Sequence, residues 1–471
     1  MEIIGREKEK ETLKRLIESK KPEFAVVYGR RRVGKTYLIK QFFDGKFAFY
    51  ATGVFGHTMK EELASFDYFL RQYGAPQGTS SPDWFAAFQT LQDLLDAKKS
   101  PKSRRKRVIF LDEVPWMDTK RSNFKAALDL FWNGYASSQS DLLLIVCGSA
   151  TSWIINNLLT GRGGFYNRVT KQIHLTPFSL GETKLLSDYL GLKLSDDQLF
   201  EGYMVFGGVP FYWGMLDGAK SISQNIQDLC FEEGGELRNE YATLFSSLFS
   251  KSGKHRPVIE ALYQKKCGMS RNELAKKKGI GSGYNLTRAL EELEQCGFIR
   301  QYKNYRTKKN ESLYQIIDPF LLFALHFLAG ERLSSWANFY RKPGYYAWAG
   351  NAFETLCLNN VPSIKKALGI AGVETSVCSY QSRKEGNEAQ IDLLLVRKDS
   401  IINLCEVKYS SEPFSITKQY EENLLHKVNA FVGEERPKEA VKLTMIVSSS
   451  LKKNSHSSIV DAEIRGKDLF L

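Results

Sequence analysis

At 471 residues the chain is about three times the ~150 residues typical of one domain, so two or three packed units are expected and a single small fold is excluded. Hydrophobic residues at 43% and charged residues at 25% describe an ordinary globular composition with enough apolar material for a sizeable core, which excludes a disordered chain. Lys and Arg number 66 against 53 acids, and the resulting charge of +13 is suited to a polyanion such as nucleic acid or an anionic membrane surface.

The seven cysteines are scattered singly and form no C-x-x-C pair, so neither a disulfide framework nor a zinc ribbon is expected, and a reducing cytoplasm is the expected setting. Met1 to Lys10 is charged and has no apolar core of a leader. The longest apolar stretch, Pro319 to Gly330, is too short to span a bilayer and carries His326. Neither export nor a membrane partner is expected. The densest charge run is Lys102 to Arg107.

The first predicted strand, Phe24 to Tyr28, leads into Gly29-Arg-Arg-Arg-Val-Gly34-Lys35-Thr36, and Tyr37 to Phe43 reads as a helix. G-x-x-x-x-G-K-T between a strand and a helix is a phosphate loop: glycines let backbone N–H groups converge on phosphate oxygens, and the helix N-terminus adds positive dipole. Lys35 is expected on the β and γ phosphates of ATP, and Thr36 on Mg²⁺. A second apolar strand, Arg107 to Leu111, ends in Asp112-Glu113, which supplies a carboxylate for the Mg²⁺ shell and a neighbour to polarise the attacking water. A third, Leu142 to Cys147, ends at Gly148-Ser149, where Ser149 is either a γ-phosphate sensor or a plain turn residue.

The chain order resembles AAA+ proteins, in particular the archaeal-type ATPase family related to signal-transducing ATPases with numerous domains. The resemblance rests on Ile4-Gly5-Arg6-Glu7, the phosphate loop, Phe110-Leu-Asp-Glu113, Gly148-Ser149, Tyr166-Asn-Arg168-Val-Thr170 and Gly207-Gly-Val-Pro210. It implies that Ile4 and Gly5 lie near the adenine and that Arg168 is a γ-phosphate sensor or trans-acting finger, the alternative being an ordinary surface arginine. It also implies that the turn ending at Pro210 closes the nucleotide pocket from a helical lid. Three glycines between Gly161 and Arg168 suit a switch loop.

Three helices are predicted next, over Val258 to Lys266, Arg271 to Lys278 and Tyr284 to Cys296, the second opened by the capping box Ser270-Arg-Asn-Glu273. Two strands follow, Phe298 to Tyr302 and Ser312 to Ile317. Helix, helix, helix, hairpin is a winged helix-turn-helix order. Arg300, Lys303, Arg306, Lys308 and Lys309, with Tyr302 and Tyr305 between them, suit phosphate contact and stacking on DNA; the alternative is a module that only connects its neighbours.

From Asn351 the pattern is α/β again: a helix carrying Glu354, then strands over Gly372 to Ser379, Gln390 to Val396 and Ile401 to Lys408. Asp392 and, fourteen residues later, Glu406 can meet at one sheet edge, and Lys408 lies on the same strand face as Glu406. Hard carboxylate oxygens hold Mg²⁺ or Mn²⁺, and a lysine beside them can stabilise a pentavalent phosphorus. The order Glu, Asp, Glu-x-Lys resembles the PD-(D/E)XK nuclease superfamily, in the form fused to archaeal-type ATPases, although Ile391 stands where that pattern has proline. The resemblance implies Glu354, Asp392 and Glu406 as metal ligands and Lys408 as catalytic. Gln419 is either an assistant or solvent-facing. No histidine forms a metalloprotease or Ser/His hydrolase pattern.

The expected fold class is therefore α/β in three parts: a P-loop NTPase core with helical lid over 1–227, a winged helix-turn-helix with helical linker over 228–344, and a PD-(D/E)XK-like domain over 345–471. The expected function is an ATP-hydrolysing protein acting on DNA, either as an ATP-regulated, metal-dependent endonuclease or as a nucleotide-driven switch that binds DNA or a regulatory protein without cutting. A homo-oligomeric ring remains open.

Overall fold

A computed structural model describes residues 2–99, 106–160, 165, 167–248, 252–265, 267–306, 312–329, 335–382, 384 and 388–471. By internal contacts the chain divides into two units, Met1–Thr176 and Pro177–Leu471.

In the first unit five strands form one parallel sheet: β1 (Glu23–Tyr28), β2 (Phe49–Thr52), β3 (Arg107–Asp112), β4 (Leu142–Gly148) and β5 (Lys171–His174), in the order β2-β3-β4-β1-β5. A parallel sheet is covered on both faces, so its strands read as continuous apolar runs. Side chains alternate between those faces: Phe24 and Val26 enter a core with Trp84, Phe88 and Phe131, whereas Ala25 and Val27 enter another with Leu13, Leu38 and Ile39. The helix Met59–Gln72 is opened by a capping box from Thr58 and Glu61. Because β3, β4 and β1 are neighbours, the segments leaving their carboxyl ends lie side by side, where ligands of open α/β sheets bind.

The second unit begins with helices Leu180–Tyr189, Asp196–Phe206 and Pro210–Trp213, the first two opened by capping boxes. The three predicted helices occur as His255–Tyr263, Arg271–Ala275 and Tyr284–Gln295, with strands β6 (Met269–Ser270), β7 (Ile299–Tyr302) and β8 (Leu313–Ile316) in an antiparallel sheet ordered β6-β8-β7.

The long helix Pro343–Asn359 precedes a mixed sheet of β9 (Thr375–Gln381), β10 (Gln390–Arg397), β11 (Ile401–Lys408), β13 (Ala440–Val447) and β15 (Ala462–Arg465), ordered β15-β13-β11-β10-β9. Two short strands, β12 (Phe414–Ser415) and β14 (Leu451–Lys452), pair separately. β9, β10 and β11 are antiparallel neighbours; β11, β13 and β15 run parallel, with the helix Lys418–Glu435 as the β11-to-β13 crossover.

One apolar core runs from Leu180 to Leu469, so the helices from Leu180 to Trp213, the three-helix segment and the carboxyl-terminal sheet are packed together. Phe200 meets Phe353 at 5.9 Å and Phe470 at 5.2 Å between ring centroids. The expected DNA-facing hairpin is also drawn in. Tyr305 N donates to Ser379 O at 2.7 Å, Ser379 N donates to Lys303 O at 3.1 Å, and the Tyr305 ring packs on Phe431.

Candidate functional site

The phosphate loop is shaped by its glycines. Gly29 has φ +143°, and a Cβ there would stand 2.1 Å from Leu175 O; Gly34 has φ +91° where it caps the helix Lys35–Phe42. Lys35 is buried, and its Nζ donates to Gly29 O and Arg30 O, both at 2.8 Å, so the ammonium is folded into the loop's own carbonyls. Thr36 Oγ1 donates to Asp112 Oδ2 at 2.7 Å, joining the helix start to the end of β3. Burial pushes the Asp112 carboxyl above its ordinary range, opposed by the Thr36 hydrogen bond. Two hard oxygens from Thr36 and Asp112 side by side fit a magnesium shell.

Glu113 sits in the left-handed region at φ 46°, and its Oε2 accepts from Ser149 N at 3.0 Å and Ser149 Oγ at 2.9 Å. Ser149 therefore holds the Glu113 carboxylate by two hydrogen bonds. Packing beneath it is close, since a Cβ on Gly148 would meet Pro115 Cδ at 2.6 Å. Arg6 is buried, its Nη2 donating to Val33 O at 3.3 Å and Thr176 O at 2.7 Å, which fastens the Ile4-Gly5-Arg6 segment to the loop.

Arg168 departs from expectation. It pairs with Asp129 of the helix Phe124–Gly134, and Thr170, two residues on, bonds Phe24 near the start of β1. The strand from Phe24 to Tyr28 covers about 13 Å, so Arg168 lies at the far end of the sheet from the phosphates and is no γ-phosphate sensor of its own loop. Gly161 to Gly164 and Tyr166 of the expected switch loop lie outside the described residues. Pro210 lies in the second unit at the first position of its short helix. One neighbour was missed: His174 stacks on Tyr28 at 4.8 Å, and burial and the Lys35 charge lower its pKa. An aromatic ending each of two paired strands was the available signal.

At the carboxyl-terminal edge, Glu406 is buried on β11, its Oε1 accepting from Tyr420 OH at 2.6 Å and its Oε2 from Lys427 Nζ at 2.8 Å. Lys408 Nζ is 3.6 Å from Glu406 Oε1 and 5.1 Å from the Tyr420 ring centroid. Asp392 lies on β10 where the β9 pairing shifts register between Ile391 and Leu394, and its Oδ1 accepts from Gln390 Nε2 at 2.6 Å. Bulges of this kind re-aim side chains beside functional sites. Glu354 is raised to about 8, first by burial and then by the Asp392 and Glu406 carboxylates.

The four residues thus share one region, but the expected ligand triad of Glu354, Asp392 and Glu406 is not assembled. Among the described residues no group of three or more His, Cys, Asp or Glu side chains is arranged to hold a metal ion. Lys427 and Tyr420 each donate to one oxygen of Glu406, so its charge is already matched by an ammonium, and Gln390 donates to Asp392. As arranged, the residues do not fit Mg²⁺ or Mn²⁺. Tyr420 and Lys427 were missed, although seven residues apart they share one helix face; Gln419 beside them is exposed.

The expected wing is corrected too. Arg300 is sequestered, donating to Gln315 Oε1 at 3.0 and 2.7 Å, and Tyr302 OH donates to Cys267 O. Tyr305 is 5% exposed and presents no stacking face to DNA, and the Arg300 guanidinium lies 4.5 Å from the Tyr302 ring centroid, whereas Lys303 and Arg306 of the same segment are exposed. Lys308 and Lys309 lie outside the described residues. All seven cysteines are free, and no helix among the described residues is long and apolar enough to cross a membrane.

Residues 3–216 match the family model described as an ATPase domain predominantly from Archaea. The chain is 24% identical over 345 residues to an uncharacterized protein, MJECL04, of Methanocaldococcus jannaschii, covering 69% of each. Its fold is similar to that of the Walker-type ATPase PABY2304 of Pyrococcus abyssi, with TM-score 0.50 and 18% identity over 69% of this chain and 96% of that one. Residues 3–216 are therefore similar to an archaeal-type ATPase domain, the α/β fold is of the P-loop NTPase type, and the matched range contains the phosphate loop, Asp112-Glu113 and Ser149.

Proposed function

We propose that this protein is an ATP-hydrolysing switch that engages DNA. The observation that carries the reading is the joined set Lys35, Thr36, Asp112, Glu113 and Ser149 at the ends of three neighbouring strands. ATP entering the loop draws Lys35 from the carbonyls of Gly29 and Arg30 onto the β and γ phosphates. Thr36 and Asp112 would hold Mg²⁺, which would supply neutralisation of the phosphate charge. Glu113, oriented by Ser149, takes the proton of the attacking water. Arg168 remains available only as a finger toward a second copy, once freed from Asp129.

Three domains are proposed, over 1–227, 228–344 and 345–471: an ATPase core with lid, a winged helix-turn-helix and a PD-(D/E)XK-type fold. The match ending at residue 216 favours grouping the lid with the ATPase. DNA as the partner is supported by the +13 charge and by exposed Lys276, Lys277, Lys278, Tyr284 and Arg288 around the start of the helix Tyr284–Gln295. Phosphate release that depends on Lys35, together with DNA affinity that changes between ADP and a non-hydrolysable ATP analogue, is the expected result. Nucleotide-independent DNA affinity would remove the switch.

A second reading, DNA cleavage at the carboxyl-terminal edge, is favoured by the bulge that aims Asp392 and by the field Asp392 and Glu406 exert on Glu354. It requires Glu406 to leave Lys427 and Tyr420. Plasmid incubated with Mg²⁺ or Mn²⁺ separates the readings: nicking lost in Glu406→Ala supports cleavage, and equal inertness of both chains supports the non-cutting switch.

A further inference from the structure

The turn Gly53-Val54-Phe55-Gly56 leaves the carboxyl end of β2, next to β3 and its Asp112-Glu113. Gly53 N donates to Asp112 O at 3.0 Å, and a Cβ on Gly53 would stand 2.6 Å from Glu113 O, so the turn rests on the backbone of the acidic pair. Val54 N donates to the buried Glu62 carboxylate at 2.8 Å, which anchors the other side. Above these anchors Val54 and Phe55 face solvent, Phe55 with 62% of its surface exposed. The Phe55 ring meets that of half-buried Trp116, on the helix Val114–Met117, at 4.8 Å between centroids and 81° between planes. In an edge-to-face pair the edge-on ring keeps both faces free of its partner and the other ring keeps one. Trp116 N donates to Glu113 O at 3.0 Å, so both rings hang from the Asp112-Glu113 backbone, one through Gly53 and one through its own N–H.

We infer that Phe55 and Trp116 form a stacking site for the bases of single-stranded DNA, and that a strand held there acts on ATP turnover through Gly53 and Trp116. Exposed aromatic faces accept any base, and a single strand presents base faces that a duplex has already stacked on one another. Lys60 on the helix after the turn, and Lys120 and Arg121 beyond Trp116, are exposed, whereas Glu61 between them is occupied in capping its helix. Those cations suit a phosphate backbone beside the stacked bases; an apolar peptide would use the rings and leave the cations without counter-charge. The choice of DNA rests on the reading above, to which the site adds the place where a strand meets the ATPase core. Coupling is reciprocal: a strand that favours one nucleotide state is itself held more tightly in that state.

The test measures binding of a labelled oligothymidylate to the full chain by fluorescence anisotropy, in ADP and in a non-hydrolysable ATP analogue, beside an abasic oligomer of the same length and charge. Tighter binding of the oligothymidylate is expected, weakened about tenfold in Phe55→Ala and retained in Phe55→Tyr, which keeps the ring. Phe55 is exposed, so its truncation opens no core cavity, and an unchanged thermal melt checks that the variant folds. Adding the oligothymidylate should also change phosphate release about threefold or more in the wild type and not in Phe55→Ala. Equal binding of the two oligomers, or strand affinity indifferent to Phe55→Ala, overturns the inference and leaves the rings to a protein partner. Phosphate release indifferent to the strand overturns the coupling. Duplex affinity that differs between ADP and the analogue while base preference is absent removes this inference alone and keeps the switch. Base preference lost in Phe55→Ala, with equal affinity in both nucleotides, removes the switch together with the coupling and keeps the stacking site.

Discussion

The amino-terminal and carboxyl-terminal sites both hold a lysine beside acidic groups, yet the lysines occupy opposite positions. Lys35 rests on neutral carbonyls of its own loop, a cation waiting for an anion, and no carboxylate has to be displaced before phosphate enters. Lys427 instead rests on Glu406, where it already supplies the positive charge that a metal would bring. The first site is poised for its ligand, whereas the second is internally neutralised. The same residue types therefore do not imply the same readiness; their pairing decides it.

The largest effects should come from breaking the first site. Lys35→Ala is expected to abolish ATP binding and turnover, and Glu113→Gln to lower turnover about 10²- to 10³-fold while ATP still binds, measured by phosphate release and equilibrium binding. Half of wild-type turnover in either variant would remove the assigned roles. Ser149→Ala withdraws the hydroxyl hydrogen bond to Glu113 and leaves the backbone one, and turnover should fall about threefold to tenfold with little change in nucleotide affinity.

The second site is probed by the opposite operation, removing its cation. Lys427→Met leaves Glu406 partly uncompensated, and a destabilisation of about 1–3 kcal/mol is expected in urea, below the value for a fully buried pair because Lys427 is a fifth exposed. The same variant should gain measurable Mn²⁺ affinity in calorimetry. Unchanged stability together with no metal binding would show that Lys427 neutralises nothing.

The last effect concerns pH. Glu201, buried in the second unit with Tyr340 OH at 3.2 Å, is raised by burial to about 7. A carboxyl whose folded pKa exceeds its unfolded value binds more protons when folded, so stability falls as pH rises from about 4.5 to 7 and levels off above that range. Glu201→Gln should flatten that slope in denaturation series from pH 4.5 to 8. An unaltered slope would place the titrating group elsewhere.

Legibility followed sequence distance. The strand, loop and helix around Gly29 to Thr36 are contiguous, and their glycines, lysine and threonine carry the chemistry in one short run, so that site was readable before any fold was known. The β9, β10 and β11 strands and the positions of Asp392, Glu406 and Lys408 were legible for the same reason, through alternation and turn residues. Tyr420 and Lys427 come from a helix after the motif, and nothing in their own spacing says they face Glu406. Tyr305 reads as part of a stacking surface because an exposed tyrosine and a covered one have the same local pattern. Only the bonds between Ser379 and Lys303 and Tyr305 distinguish them.

The sequence by itself determined the nucleotide loop, the acidic strand end, the element order and the placing of four reactive side chains toward one edge. These follow from periodicity and backbone geometry over a few residues. The tertiary structure decided which charges are paired: Arg168 with Asp129, Glu406 with Lys427 and Tyr420, Glu113 with Ser149. Pairing depends on which distant segments are packed within about 3 Å, and burial decides how strongly each pair perturbs its members, since charges in a low-dielectric interior are screened far less than at the surface.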